Sequence, residues 1–366
     1  MNKRILKNTE WSVLIISLIL FSIGLIALYS CTQSTEFEEM RKQVIWFIVS
    51  IPILIVFMLL DYNMLSKASY VIYGIFIVLL VGVLFTPEIN GARSWFNIGA
   101  FSFQPGEFAK VFVIIFFSTI LCKVQERNKN AINTPWKLLA LLISVAFPVL
   151  LIVIQPDIGT AAAFMVATIF ILFVAGIDKK YIIVTIALIV ILVPVIYMFL
   201  LPEHAKTRID VFLNPDLEPR GAGYNIIQSK LAVGAGKVFG MGILKGNQTQ
   251  LGFLYPKTTD FIFAVIGEEM GFIVSATVVI LYVLLLTKAI YIAKTAKDDL
   301  GSYIATGICG ILFFHVLENI GMTIGLLPIT GVPLPFISYG GSSLITNFIC
   351  IGILLNISSR RQKTIF

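Results

Sequence analysis

Asp260 stands where a long polar stretch meets an apolar run, in Thr258-Thr-Asp-Phe-Ile-Phe-Ala264. A carboxylate at such a boundary can take a proton from a hydroxyl, or it can cap the following helix by accepting that helix's first backbone N–H groups. Beyond it Ala264, Gly267, Glu268 and Gly271 share one helix face, where small residues let another helix approach closely. Glu107 and Lys110 lie three apart at the start of another apolar run, so they share a face and can neutralise each other. Just before them, Arg93 is a candidate anion ligand, and its neighbour Trp95 suits the water–hydrocarbon boundary. Asp157 follows a proline in Gln155-Pro-Asp-Ile-Gly-Thr160, where a tight turn accounts for Pro156 and Gly159 but does not require the carboxylate. Glu318-Asn319 lies in the middle of an apolar run, and Pro333 through Ser343 forms a glycine- and hydroxyl-rich turn that includes Ser338 and Ser342. That turn can present N–H groups to an anion, or it can be a site of close helix packing.

The elements that must carry these residues follow from composition. Of 366 residues, 58% are apolar or aromatic and 13% are charged, with a mean hydropathy of +0.95. A water-soluble core of this size cannot enclose so much apolar surface. The apolar runs are continuous rather than alternating, which excludes a transmembrane β-barrel and predicts an all-α polytopic membrane protein. Ten runs of near-spanning length fall at 11–30, 44–60, 68–86, 105–122, 138–154, 159–176, 181–200, 261–286, 301–326 and 337–356. The first follows Lys3, Arg4 and Lys7 and has no small-residue cleavage site, so it reads as a retained helix. Cys31, Cys122, Cys309 and Cys350 show neither metal spacing nor a disulfide framework. The net charge of +7 reports topology in such a chain, and nucleic acid is not expected as a partner.

With the N-terminus inside, sixteen Lys and Arg residues fall on inner flanks, and only Arg41, Lys42 and Arg93 on short outer ones. The bias predicts both termini in the cytoplasm, in agreement with an even number of spans. The chain then reads as one transmembrane domain, 1–366, with a large extracytoplasmic loop, 201–260, between helices 7 and 8. This loop holds four prolines, eight glycines and seven basic against five acidic residues. Within it, Tyr224, Ile227 and Leu231 recur at helical spacing and predict a short helix at the membrane surface.

These motifs together resemble the SEDS family (shape, elongation, division and sporulation), most closely its rod-shape branch. The segments that carry the resemblance are Gly91-Ala-Arg-Ser-Trp-Phe96, Phe103-Gln-Pro-Gly-Glu-Phe-Ala-Lys110, Gln155 to Thr160, Gly223-Tyr-Asn-Ile-Ile-Gln-Ser229, Gln248-Thr-Gln250, Thr259 to Glu269 and Pro333 to Ser343, in family order across almost the whole chain. The resemblance implies ten helices in the bacterial cytoplasmic membrane. It also implies a peptidoglycan glycosyltransferase that polymerises lipid II on the outer membrane face, paired with a class B penicillin-binding protein. Asp260 matches the family's essential loop carboxylate and Trp95 its functionally sensitive aromatic, while Arg93, Glu107, Lys110 and Asp157 match recurrent polar positions. One departure is evident: Leu254-Tyr-Pro-Lys-Thr258 lacks the acidic residue and histidine common before the Thr-Asp pair.

On this reading Asp260 is the lone general base, because a pyrophosphate leaves without help from a protonated carboxylic acid. Arg93, Lys237 and Lys245 are expected to hold the pyrophosphate, and Mg²⁺ or Mn²⁺ is a reasonable bridging ion. Asp216 and Glu218 are the nearest approach to a metal motif. Two rival readings use the same residues: a lipid II flippase, and a non-catalytic scaffold for the penicillin-binding protein.

Overall fold

The computed structural model describes residues 8–89, 91–99, 101–185, 187, 191, 203–214, 217 and 221–361. Nine of the ten apolar runs coincide with helices among these residues: α1 Ser12–Cys31, α2 Glu38–Leu59, α3 Tyr62–Gly82, α4 Pro105–Gln125, α5 Pro135–Ile154, α6 Ile158–Val174, α10 Ile262–Lys294, α11 Asp299–Thr323 and α12 Gly341–Ser359. A further helix begins at 179 and is followed to 185; most of the run 181–200 lies outside the described residues. Among the described residues seven helices are long and apolar enough to cross a bilayer, and α6 is a shorter apolar helix of 17 residues. The segment between spans contributes α7 Glu203–Leu213, α8 Ala222–Ala235 and the single turn α9 Asn247–Gln250. Helix α8 covers the predicted surface helix.

Boundaries follow local chemistry. Pro105 and Pro135 occupy the first turns of α4 and α5, where a missing N–H costs nothing. Asp61, Asp157 and Asp298 cap α3, α6 and α11 by accepting the N–H of Asn63, Thr160 and Gly301. Helix α2 begins six residues before its apolar run, because its first turn is the charged Glu38-Glu-Met-Arg-Lys42. The last run splits differently: residues 335–338 form a turn, and α12 starts only at Gly341.

Helix α12 is the hub, buried along almost its whole length against α2, while α11 packs between α6 and α10. Helix α10 is bent at Gly271, whose φ of 77° is left-handed and open only to a residue without a side chain. Backbones interlock at the bend: a Cβ on Gly236 would overlap the Gly267 carbonyl oxygen, and one on Gly271 would overlap the amide of Gly240. The small-residue face expected beyond Asp260 is therefore the surface on which α8 and the segment after it seat.

Candidate active site

Three consecutive carbonyls leading to Asp260 are each held by a donor from a neighbouring element. Tyr339 N–H donates to Thr258 O at 2.9 Å, Ser338 Oγ to Thr259 O at 2.6 Å, and Asn319 Nδ2 to Asp260 O at 2.9 Å. The same Asn319 nitrogen donates to Val332 O at 2.9 Å, which ties the strap 330–339 to the loop. The half-buried Asp260 side chain lies beside Gly331, where an added Cβ would sit 3.6 Å from Oδ2. Helix α10 starts at Ile262 behind an N-cap Phe261 with no side-chain cap. Asp260 therefore stands one residue before the N-cap, near the end of a turn over 255–261.

Beneath this turn lies a buried polar chain. Lys110 Nζ donates to Glu107 Oε1 at 2.7 Å, and both residues are almost sealed from solvent at 1% and 3% exposure. Lys110 Nζ also reaches His315 Nε2 at 2.7 Å, and His315 Nδ1 reaches Pro333 O at 3.1 Å. An ammonium only donates and a carbonyl only accepts, so the ring carries its proton on Nδ1 and is neutral. Beside the chain, Asp157 accepts from Thr160 N through Oδ1 and from Gln104 Nε2 through Oδ2, both at 3.0 Å. Gln104 N–H in turn donates to Ser342 Oγ at 3.1 Å. Gly159 packs directly on Thr330 and Val332. Asp157, Glu107, Lys110, Ser338, Ser342 and Asp260 are therefore joined through one strap, 330–343.

The other predicted residues lie around this group. Arg93 is exposed, bonds Leu84 O at 3.5 Å, and with Leu84, Glu88, Gly91, Ile154 and Pro156 bounds a cavity of about 270 Å³ next to Asp157. Trp95 is half-buried one residue before the hairpin Phe96–Ile98 and Phe101–Phe103 that leads into α4. Lys237 and Lys245 are exposed on the segment clamped to the α10 bend, where Lys237 O accepts from Phe272 N. Among the described contacts none joins these two lysines to the Asp260 turn. Asp216 and Glu218 lie outside the described residues, and no three His, Cys, Asp or Glu among the described residues cluster to hold a metal ion.

Several residues to which the sequence alone gave no role in the site are built into this end. His315 and Asn319 project from α11, and a lone histidine or amide within an apolar run was the available signal. Glu268 and Glu269, 0% and 2% exposed, carry no counter-cation in their hydrogen-bond sets. Glu268 accepts from Gln248 N, Thr249 N and Thr249 Oγ1, and Glu269 from Leu244 N, Gly246 N and Gln250 Nε2. They clamp the segment 244–250 by its backbone. Lys257, which stands in the departing motif, donates to Thr249 O at 2.9 Å.

This architecture is that of a polytopic helical membrane protein with one polar site gathered at a single end of its bundle. Residues 10–363 match the family described as cell cycle protein, comprising FtsW, RodA and SpoVE, and the chain belongs to that family. It is 38% identical over 296 residues to the peptidoglycan glycosyltransferase MrdB of Escherichia coli K12, covering 80% of this chain and 78% of that protein. It is also 38% identical over 358 residues to stage V sporulation protein E of Bacillus subtilis, covering 94% and 96%. A solved chain from a study of the structural coordination of polymerization and crosslinking by a peptidoglycan synthase complex superposes with a TM-score of 0.82. It is 27% identical, with 97% of this chain and 99% of that one covered.

Proposed function

We propose that this chain is a peptidoglycan glycosyltransferase that polymerises lipid II on the outer face of the bacterial cytoplasmic membrane, with Asp260 as general base, and that it serves cell elongation. The carboxylate takes the proton from the 4-hydroxyl of the acceptor GlcNAc as that oxygen attacks C1 of the donor MurNAc. The C1–oxygen bond to phosphate breaks, undecaprenyl pyrophosphate leaves with the electron pair, and the sugar inverts from α to β. Proton transfer of this kind contributes about 10²–10⁴-fold, and positioning the two substrates contributes much of the rest.

The observation that carries this reading is the seat of Asp260, whose preceding carbonyls are pinned while its side chain lies in a turn outside α10. A base must be held still yet reach substrate: the pinned carbonyls support the first requirement and the partial exposure of Asp260 supports the second. The exposed Arg93 beside its cavity supports a role in neutralising pyrophosphate, and Lys237 and Lys245 are proposed as further cations. The described residues offer no protein cluster for a divalent cation, and no step here passes through one. Outward orientation rests on charge. Lys67, Lys123, Arg127, Lys129, Lys288, Lys294, Lys297, Arg360 and Arg361 lie at the bundle end opposite Asp260, and such residues mark the cytoplasmic side. A class B penicillin-binding protein is the proposed partner, supported by the likeness to a chain of a peptidoglycan synthase complex.

The test supplies purified protein, with its penicillin-binding partner, with lipid II and measures glycan chains for wild type and Asp260→Asn. Polymer from wild type alone is expected. Equal polymer from both removes the base assignment. Lipid II crossing vesicle membranes without polymer from either protein replaces this reading with the flippase, and neither polymer nor translocation leaves the scaffold.

A further inference from the structure

The amide of Asn319 is fully buried at 0% exposure, and its nitrogen spends both hydrogens on carbonyls from two different segments, Asp260 and Val332. Two carbonyl acceptors converging on one atom fix which end of the amide is nitrogen. Its Oδ1 has no hydrogen-bond partner among the described residues. Burying an amide oxygen unpaired costs about 1–3 kcal/mol, a cost that the two Nδ2 hydrogen bonds must offset. No other side chain of this size replaces it: aspartate offers only acceptors when ionised, leucine offers neither kind of group, and glutamine is one methylene too long for a sealed site. The backbone of α11 supplies the rigidity, and one turn earlier the same helix holds Pro333 O through His315.

We infer that Asn319 is a positioning residue for the transfer reaction: it sets the Asp260 turn against the 330–339 strap, so that the carboxylate stands over Gly331 in one orientation. The inference rests on the reading of Asp260 as the base. Asn319 touches no substrate and acts through the backbone of residue 260. The strap is the natural partner for such registration, because Gly331, whose φ of 74° favours glycine, lies against the Asp260 carboxylate.

The experiment compares wild type, Asn319→Ala, Asn319→Asp, Asp260→Asn and the double variant Asp260→Asn/Asn319→Ala. Each is purified with its penicillin-binding partner, assayed for polymerisation across a range of lipid II concentration, and followed by thermal unfolding. Misplacing a reacting group by an ångström costs about 10²-fold, so kcat for Asn319→Ala is expected to fall by about that factor while KM stays within about twofold. Because Asn319 acts through Asp260, adding Asn319→Ala to Asp260→Asn is expected to change the residual rate by less than about twofold.

An unchanged kcat, or a raised KM alone, overturns the inference. So does a full additional loss in the Asp260→Asn background. Failure of both Asn319 variants to fold also overturns it, since Asn319 is then a tie of the fold. Should Asp260→Asn polymerise at the wild-type rate, the base assignment itself fails, and that outcome is read without reference to Asn319.

Discussion

At the end of the bundle that holds Asp260, the buried Glu268 and Glu269 and the half-buried Asp157 are met by backbone, hydroxyl and amide donors, and cations meet only the buried Glu107, through Lys110, and the exposed Glu38, through Lys42, among the described residues. At the opposite end carboxylates lie nearer water and meet Lys and Arg. Glu10 pairs with Lys288 at 2.9 Å and Arg361 at 3.7 Å, Asp61 with Arg360 at 3.0 Å, and Asp299 with Lys129 at 3.2 Å. Exposed pairs of this kind contribute about 0–1 kcal/mol each and tolerate loss. A buried acid is costly to seat and fixes the geometry of whatever donates to it. The first end is built to hold shapes, the second to mark a side of the membrane and tie helix ends loosely.

Four measurements press on this contrast. Asp260→Asn is expected to lower the polymerisation rate by about 10²–10⁴-fold with unfolding unchanged, since an isosteric amide in an open turn alters chemistry rather than packing. Rate measurements with lipid II, taken together with thermal melts, check both halves. Lys110→Met strands the Glu107 carboxylate in a dry interior and is expected to destabilise by about 3–5 kcal/mol, whereas Glu107→Gln/Lys110→Met recovers most of the loss. If denaturation of the double variant matches that of the single, the cost is not an unpaired charge.

Gly271→Ala forces a side chain onto a left-handed backbone against the Gly240 amide, and about 1–3 kcal/mol is expected from strain before any clash. Gly234→Ala is the control, because open space surrounds its Cβ, and it is expected to be neutral or mildly stabilising.

The smallest effect belongs to the opposite end. Glu10→Gln is expected to cost no more than about 1 kcal/mol near neutral pH. The Glu10 carboxyl is held below its usual range, chiefly by the Lys288 hydrogen bond, with burial opposing. A depressed folded-state value means that the stabilisation is present above the unfolded value of about 4.3 and is lost as pH falls through the folded one. Melts of wild type and Glu10→Gln near pH 7 and pH 3 are therefore expected to differ at the first and converge at the second.

The helices were legible because burial in hydrocarbon demands continuous apolar runs, and the runs 11–30, 105–122 and 138–154 lie within three residues of the ends of α1, α4 and α5. Where a run opens or closes on charged residues, the match slips, as at Glu38 and Lys294. Asp260, Glu107, Lys110 and Asp157 stood out because charge is rare at membrane depth. Asn319 showed only as the neighbour of Glu318, and His315 and Gln104 did not stand out. An uncharged polar residue in a spanning run looks like any helix tie, and its significance lies in carbonyls from chain segments 13 to 59 residues away. The bend at Gly271 was hidden for a similar reason. A stripe of small residues announces close approach but not which backbone arrives, nor that the helix must turn to receive it.

The interlock of Gly236, Gly240 and Gly271 carries a consequence for how variation in this chain is interpreted. None of the three can gain a side chain unless the facing backbone retreats, so drift at one is blocked unless the others change in concert. A saturation scan scored by bacterial growth will mark them as an intolerant block as severe as Asp260 itself. Their signature is that no residue size is permitted, whereas the role proposed for Asp260 predicts that charge decides tolerance there.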